Sequence, residues 1–326
     1  MRDVVLFNPA PRSGWQAQRR VELPLSLLCP ATPLDRACHP GTATSHPVAG
    51  RVRIIDQYAN PAWKGELLDA LAASPICFGV TCMTGPQILH ALAACRLVRQ
   101  QCPEVPIVWG GIHASLLPQQ TLANPYVDIV VVGEGEVTFP QLVETLQTGG
   151  PLDGVLGIAY GRDGQCRFTG HRPFVDLDAQ PPLSYHLLDM DRYRRRLFGV
   201  DHVSFNSSRG CKFRCAYCWD PVMHRRQWRA MRAETIVEHL RRIIRDYGIR
   251  GFLFTDDNFF IDMDRARATL EGIVRSGLDI SISKLQVRAD AVCQMDGEFL
   301  DLLVRANVRR IAIGVESGSQ RVVELI

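Results

Sequence analysis

The stretch Ser207-Ser208-Arg209-Gly210-Cys211-Lys212-Phe213-Arg214-Cys215-Ala216-Tyr217-Cys218-Trp219 follows a short β-rich run, Val203–Asn206, and places three thiols within eight residues. The spacing is C-x3-C-x2-C. Three thiolates on one loop can wrap a single cluster, and cysteine thiolates are the usual ligands of iron–sulfur centres. A four-iron cluster has four corners, so three cysteines leave one iron open to an exogenous ligand, as open metal positions admit substrates elsewhere. The alternative is a structural zinc site completed by Cys293, His202 or His224. Zinc sites usually use paired C-x2-C halves, which this single loop lacks. Lys212 and Arg214 make the loop more cationic than apolar, which argues against three unliganded core cysteines.

The rest of the composition narrows the class. The chain has 326 residues, enough for two domains with a core each. Hydrophobic residues make up 46% and charged residues 22%, a globular balance. The net charge of +3 is spread along the chain, which argues against a nucleic-acid binder. No apolar run approaches the roughly 18 residues of a membrane helix, and Met1–Phe7 is too short for a secretory signal. A cytoplasmic protein is therefore expected. In a reducing compartment the remaining eight of the 11 cysteines, all scattered singly, are read as small buried hydrophobes rather than disulfides.

Upstream of the cysteine loop, short apolar runs alternate with helical patterns. The runs are Val4–Asn8, Val52–Asp56, Ile76–Met83, Val105–Gly110 and Val127–Val132, and Pro86–Gln101 between them carries apolar residues at helical spacing. This alternation predicts an N-terminal Rossmann-like, doubly wound parallel sheet over residues 1–150. Such sheets bind ligands beyond the carboxyl ends of their strands. The loops there are Asn8–Gly14, Thr81–Gly85, Gly110–His113 and Gly133–Glu136, so Asn8, Thr81, Met83, Gly110, Gly111, His113, Gly133, Glu134 and Gly135 are candidate ligand contacts. The Pro-, Thr-, His- and Gly-rich stretch 31–50 reads as an irregular insertion. Residues 151–200 hold a hairpin around Gly161–Gly164 and a proline-bearing linker, Asp176–Ser184.

From residue 201 to 326 the alternation resumes. Strands are predicted at Val203–Asn206, Gly251–Thr255, Ile280–Val287 and Arg310–Val315, with helices near Ala233–Tyr247, Arg265–Ser276 and Glu298–Ala306. Repeated βα units of this kind build a barrel or a second open sheet. Polar residues stand at the strand ends: Asp256, Asp257 and Asn258, then Gln286, Arg288 and Asp290, then Glu316 and Ser317. Helix capping by the Asp256–Asp257 pair and a buried Arg288–Glu316 ion pair are the structural alternatives.

The CxxxCxxC loop, with Tyr217 before its third cysteine, resembles the radical S-adenosylmethionine (SAM) superfamily, and Ser207–Gly210 resembles its cobalamin-domain-bearing branch. The segment Pro106–His113, followed by Asp128–Glu136, is similar to the cobalamin-binding domain of those enzymes. The resemblance implies a 4Fe-4S cluster on Cys211, Cys215 and Cys218. It further implies SAM contacts from Tyr217, Asp256, Asp257, Asn258, Arg288, Glu316 and Ser317 on a partial (βα) radical SAM barrel, and cobalamin on the N-terminal loops. The axial-ligand signature D-x-H-x-x-G is missing, which points to cobalt without a protein imidazole beneath it. His113 is then a candidate for a corrin amide contact.

The function implied is reductive SAM cleavage with cobalamin-dependent methyl transfer to a small molecule, fed by an electron donor such as flavodoxin or ferredoxin. The alternatives are radical cyclisation, rearrangement or methylthio transfer, and a non-catalytic cobalamin- or metal-binding sensor. Barrels of the family have six βα units whereas four strands follow residue 200. That count predicts a fragment of a longer protein, aggregation-prone on its own.

Overall fold

The computed structural model describes residues 2–11, 21–35, 50–162 and 164–326. Most of the insertion read at 31–50, and residues 12–14 of the first loop, lie outside the described residues. The chain divides into two compact units, the first built mainly from residues up to 189 and the second mainly from 190 onward.

The first unit runs β1 (Val4–Asn8), α1 (Leu25–Ala31), β2 (Val52–Asp56), α2 (Trp63–Leu71), β3 (Cys77–Thr81), α3 (Gln87–Gln101), β4 (Ile107–Gly110), α4 (Gly111–Leu116), α5 (Pro118–Leu122), β5 (Ile129–Val131), α6 (Gly135–Thr148), β6 (Ile158–Arg162) and β7 (Gln165–Phe168). Its sheet has the order β2-β1-β3-β4-β5-β6-β7. The first five strands are parallel. A central parallel strand is covered on both faces, and all five residues of β3 are accordingly buried. Phe7, Phe78 and Trp109 fill the layer beneath α3, where Trp109 Nε1 donates to Cys95 Sγ at 3.3 Å. That bond satisfies the one polar atom the indole brings into the core. The hairpin expected around Gly161–Gly164 forms as β6 and β7, and it is joined to the N-terminal sheet as its antiparallel edge, β6 pairing with β5. Ile158, Ala159 and Tyr160 are apolar and buried, so pairing with β5 removes both their surface and their backbone groups from water.

The second unit runs β8 (Arg195–Leu197), β9 (Val200–Phe205), β10 (Ser208–Arg209), α7 (Asp220–Met223), β11 (Arg229–Ala230), α8 (Ala233–Tyr247), β12 (Gly251–Phe254), α9 (Met263–Arg275), β13 (Ser281–Arg288), α10 (Ala289–Val292), α11 (Gly297–Arg305), β14 (Ile311–Gly314) and α12 (Gln320–Val323). Its main sheet has the order β14-β13-β12-β9-β8. Strands β9, β12, β13 and β14 are parallel and form a partial βα barrel, and β8 is an antiparallel flap on β9. The core is aromatic: Phe205, Phe254, Phe259 and Phe260 follow one another edge-on at centroid spacings of 5.2, 5.6 and 5.1 Å. Such pairs are worth about 0.5–1.5 kcal/mol beyond their burial. Because the strands are parallel, all four end on the same side, and the cysteine loop leaves the end of β9. Among the described residues no helix is long and apolar enough to cross a membrane.

Candidate functional site

The cysteine loop is held by backbone geometry that only glycine permits. Gly210 has φ +81°, and a Cβ there would stand 2.2 Å from the Gln227 carbonyl oxygen. The chain can therefore turn out of β10 and press against the segment before β11. The Cys218 amide donates to the Cys215 carbonyl at 3.0 Å, which tightens the C-x2-C half. Cys211, Cys215 and Cys218 are all partly buried free thiols.

Behind the loop lies a buried polar relay. The Asp256 carboxylate, 1% exposed, accepts from Ser207 Oγ at 2.8 Å, from the Ser207 amide at 3.3 Å and from Ser208 Oγ. Ser207 in turn receives Arg265 Nη2 on its Oγ at 2.8 Å and on its carbonyl at 2.9 Å. Burial pushes the Asp256 carboxyl above its ordinary value, and Arg265 and the two serines pull it back. Asp256 caps no helix; that task falls to Asp262, which accepts from the Arg265 amide at 2.9 Å at the head of α9. Asn258 makes a local turn, accepting from the Phe260 amide at 3.1 Å.

Asp257 is the member of the acidic pair presented toward the loop, accepting from the Gly210 backbone. Although its surface is partly open to solvent, the protein crowded around the carboxyl pushes its pKa up to about 6. Asp220 adds to that rise and His224 opposes it. Asp220, His224 and Asp257 bring ligand-type atoms within 4.8 Å of one another. His224 Nδ1 lies 2.5 Å from Asp220 Oδ1, and the other Asp220 oxygen is buried without a hydrogen-bond partner. Sequence reasoning missed this pair as a unit. Its signal is the D-x-x-x-H spacing across α7, two residues after Cys218.

Arg288 ends β13 and turns to the loop. Its guanidinium lies 3.8 Å above the Phe213 ring, with Nη1 at 3.6 Å from Cys215 Sγ and Nε at 3.2 Å from Asp290 Oδ1. Glu316 follows β14 with φ +64°, and the Ser317 amide donates to the Val315 carbonyl at 2.8 Å, a tight three-residue turn. Glu316 accepts from the Tyr217 hydroxyl, which pushes that phenol up to about 12. The Arg288–Glu316 ion pair left open by the sequence is not formed; each residue bonds to the cysteine loop or beside it. Ser317 Oγ accepts from the Ser319 amide at 3.1 Å.

These observations test whether an iron–sulfur cluster fits. Burial raises the Cys211 and Cys218 thiols, and the nearby charges of Asp220 and Asp257 raise them further. A cationic metal core relieves both effects at once, because thiolates bound to iron need no proton. A zinc tetrad does not assemble: Cys293 is exposed, His202 is buried in β9 with Nδ1 at 2.9 Å from the Val200 carbonyl, and His224 holds Asp220. The open strand ends add Asp257 and Glu316 for a cationic ligand.

In the first unit the parallel order β2-β1-β3-β4-β5 reverses direction between β1 and β3, the switch point where such sheets bind ligands. Asn8 ends β1 and donates to Asp56 Oδ2 at 3.0 Å; Thr81 ends β3 and donates to Ser26 Oγ at 3.0 Å. Gly111 has φ +85°, and a Cβ there would stand 2.9 Å from the Cys82 backbone, so α4 begins closer to the end of β3 than a side chain would allow. The Met83 side chain is 57% exposed beside this crevice, an apolar surface of the kind a flat ligand covers. Space is open beyond Gly85 and Gly133. His113 is buried with Nδ1 at 3.1 Å from Thr84 Oγ1, and burial lowers its pKa. Glu134 accepts from the Val175 amide at 3.1 Å, and Gly135 starts α6 against Pro30. The residues present fit a broad, flat ligand resting on bare backbone.

A three-thiol loop at the strand ends of a partial βα barrel, preceded in sequence by a 2-1-3-4-5 sheet, defines a cluster-binding α/β protein. Residues 24–143 match the B12 binding domain family and residues 205–326 the Radical SAM superfamily. An uncharacterized methyltransferase of Pyrococcus horikoshii is 31% identical over 84% of this chain and 59% of its own length. An anaerobic magnesium-protoporphyrin IX monomethyl ester cyclase of Synechocystis is 28% identical over 98% of this chain and 62% of its own. The chain thus spans about three fifths of these relatives. The radical SAM methyltransferase TsrM of Kitasatospora setae, solved with cobalamin and a 4Fe-4S cluster, superposes with a TM-score of 0.75 at 20% identity, covering 98% of this chain and 62% of that one. The chain belongs to the radical SAM superfamily and carries a B12-binding domain ahead of its radical SAM domain.

Proposed function

We propose that this chain carries the cobalamin- and cluster-binding parts of a cytoplasmic radical SAM enzyme that methylates a small molecule. The observation that carries the reading is the convergence of the Cys211, Cys215 and Cys218 loop with Asp257, Arg288 and Glu316 at the ends of successive parallel strands. Bound together, the cluster and SAM supply a radical, and cobalamin supplies a methyl carrier. This chain's own residues do the rest. The three thiolates hold three corners of the cluster and leave one open. Asp257 and Glu316 offer carboxylates to the SAM ammonium, and the Tyr217 hydroxyl fixes Glu316 in place. In the first unit, Asn8, Thr81, Met83, Gly110, Gly111, Gly133, Glu134 and Gly135 surround the corrin crevice, and His113 supports it from behind. The electron comes from a small redox donor of the flavodoxin or ferredoxin type.

The test is anaerobic reconstitution with iron and sulfide, followed by SAM and dithionite. About four irons per chain and formation of 5′-deoxyadenosine or S-adenosylhomocysteine are expected. Each of Cys211→Ala, Cys215→Ala and Cys218→Ala removes the iron. Stoichiometric zinc with no iron–sulfur absorbance refutes the reading. The match to a cyclase over 98% of the chain supports a second reading, radical ring closure on the same site. Methyl label from SAM appearing in product separates methylation from cyclisation.

A further inference from the structure

Arg288 stands where the family resemblance puts a SAM contact, yet its contacts belong to the cluster loop. Nη1 points at Cys215 Sγ from 3.6 Å, the guanidinium plane covers Phe213 at 3.8 Å, and Nε is tied to Asp290 at 3.2 Å. A bidentate grip on a carboxylate takes two parallel N–H groups. Every parallel pair in a guanidinium includes Nε or Nη1, and each of these nitrogens already has a partner that competes with a carboxylate for the fork. Asp290 fixes the roll of the group and Phe213 fixes its tilt, so the donor is aimed at one sulfur.

We propose that Arg288 is a positioning residue that sets the reduction potential of the cluster through a charge-assisted N–H···S bond to the Cys215 thiolate. The inference rests on the cluster reading above. Hydrogen bonds to cluster sulfurs are among the levers that set iron–sulfur potentials. A reduced cluster carries one more negative charge than the oxidised one, so a fixed cation with a donor on a ligand sulfur favours the reduced form. Arg288 thereby makes the cluster easier to charge by its electron donor. Phe213 has the same purpose at one remove: its ring face holds the guanidinium flat. Lysine cannot replace this arrangement, because an ammonium has neither the plane to stack nor the fixed fork.

The experiment is a redox titration of the reconstituted cluster in the full 326-residue chain without SAM, followed by electron paramagnetic resonance. Iron content and SAM affinity are measured on the same samples. Arg288→Gln is expected to keep its iron and shift the midpoint to lower potential. At the potential that half-reduces the wild type, its reduced-to-oxidised ratio falls roughly tenfold, the equivalent of one charge-assisted hydrogen bond. Arg288→Lys and Phe213→Leu shift the same way by less, and they decide the matter if Arg288→Gln loses its cluster. An unchanged midpoint in these variants overturns the proposal, and an unchanged midpoint with SAM affinity lost restores Arg288 to the SAM site. Failure of the wild type itself to bind a 4Fe-4S cluster would instead sink the functional reading.

Discussion

Replacing Asp256 tests the relay that supports the cysteine loop. Asp256→Ala removes the acceptor for two serine hydroxyls and a backbone amide, and takes from the Arg265 guanidinium, one of whose nitrogens is already buried without a partner, the strongest of its counter-charges, leaving only Asp262 and Asp178. Removing one partner of a buried charged network costs about 3–5 kcal/mol. Against a total stability of roughly 5–15 kcal/mol that is a large share. Asp256→Asn keeps the shape and one acceptor oxygen and loses the charge, so about 1.5–3 kcal/mol is expected. Because the chain has two units, global unfolding is a poor measure, and native-state amide exchange in β9 and β12 reads the local cost. Protection of those amides in Asp256→Ala should fall by roughly two to four decades at 1.36 kcal/mol per decade. Asp256→Leu combined with Arg265→Met should cost at least about 2 kcal/mol less than the two single changes together, because neither leaves the other's charge stranded. The sign of the pH effect follows from burial, which raises the Asp256 carboxyl above its unfolded value. The folded form then binds the proton more tightly, so acidification stabilises the wild type against unfolding and widens its lead over Asp256→Asn, which carries no proton to gain. Protection within threefold of wild type in Asp256→Ala would refute the relay.

Gly210→Ala should abolish iron binding while leaving the first unit folded, because its Cβ meets the Gln227 carbonyl at 2.2 Å; normal iron content would show that the loop reshapes freely. Cys77→Ala and Cys95→Ala should keep full iron, since burial pushes both thiols up to about 12 and neither offers a thiolate; iron analysis checks this. Asp257 titrates at about 6, so SAM binding should weaken as pH falls through that value, while Asp257→Asn binds weakly at every pH; a flat wild-type binding profile between about pH 5 and 8 would remove Asp257 from the site. Cobalamin bound to the chain should show no axial nitrogen splitting in the cob(II)alamin resonance, because the sequence lacks the axial-ligand signature D-x-H-x-x-G; a nitrogen pattern would overturn that expectation.

Much of this protein is written locally. The C-x3-C-x2-C spacing is a property of eight consecutive residues, and so was readable without a fold. The short apolar runs Val4–Asn8 and Val52–Asp56 match β1 and β2 end to end, because a strand buried on both faces has to be largely apolar. The hairpin at 158–168 was legible as a hairpin, but its attachment to β5 was not, since pairing partners far apart in sequence leave no mark on composition. The same limit applies at the site. Asp256 and Asp257 are adjacent and chemically identical, yet just beyond the end of β12 one turns inward onto Ser207 and the other toward Gly210, and only the packed structure decides which. Arg288 is 73 residues from Cys215, and Tyr217 reaches Glu316 across a still longer gap. Which thiol a distant guanidinium meets depends on the register of β13 beside β12 and β14, a long-range quantity set by the core between the strands and helices rather than by any neighbour in the chain.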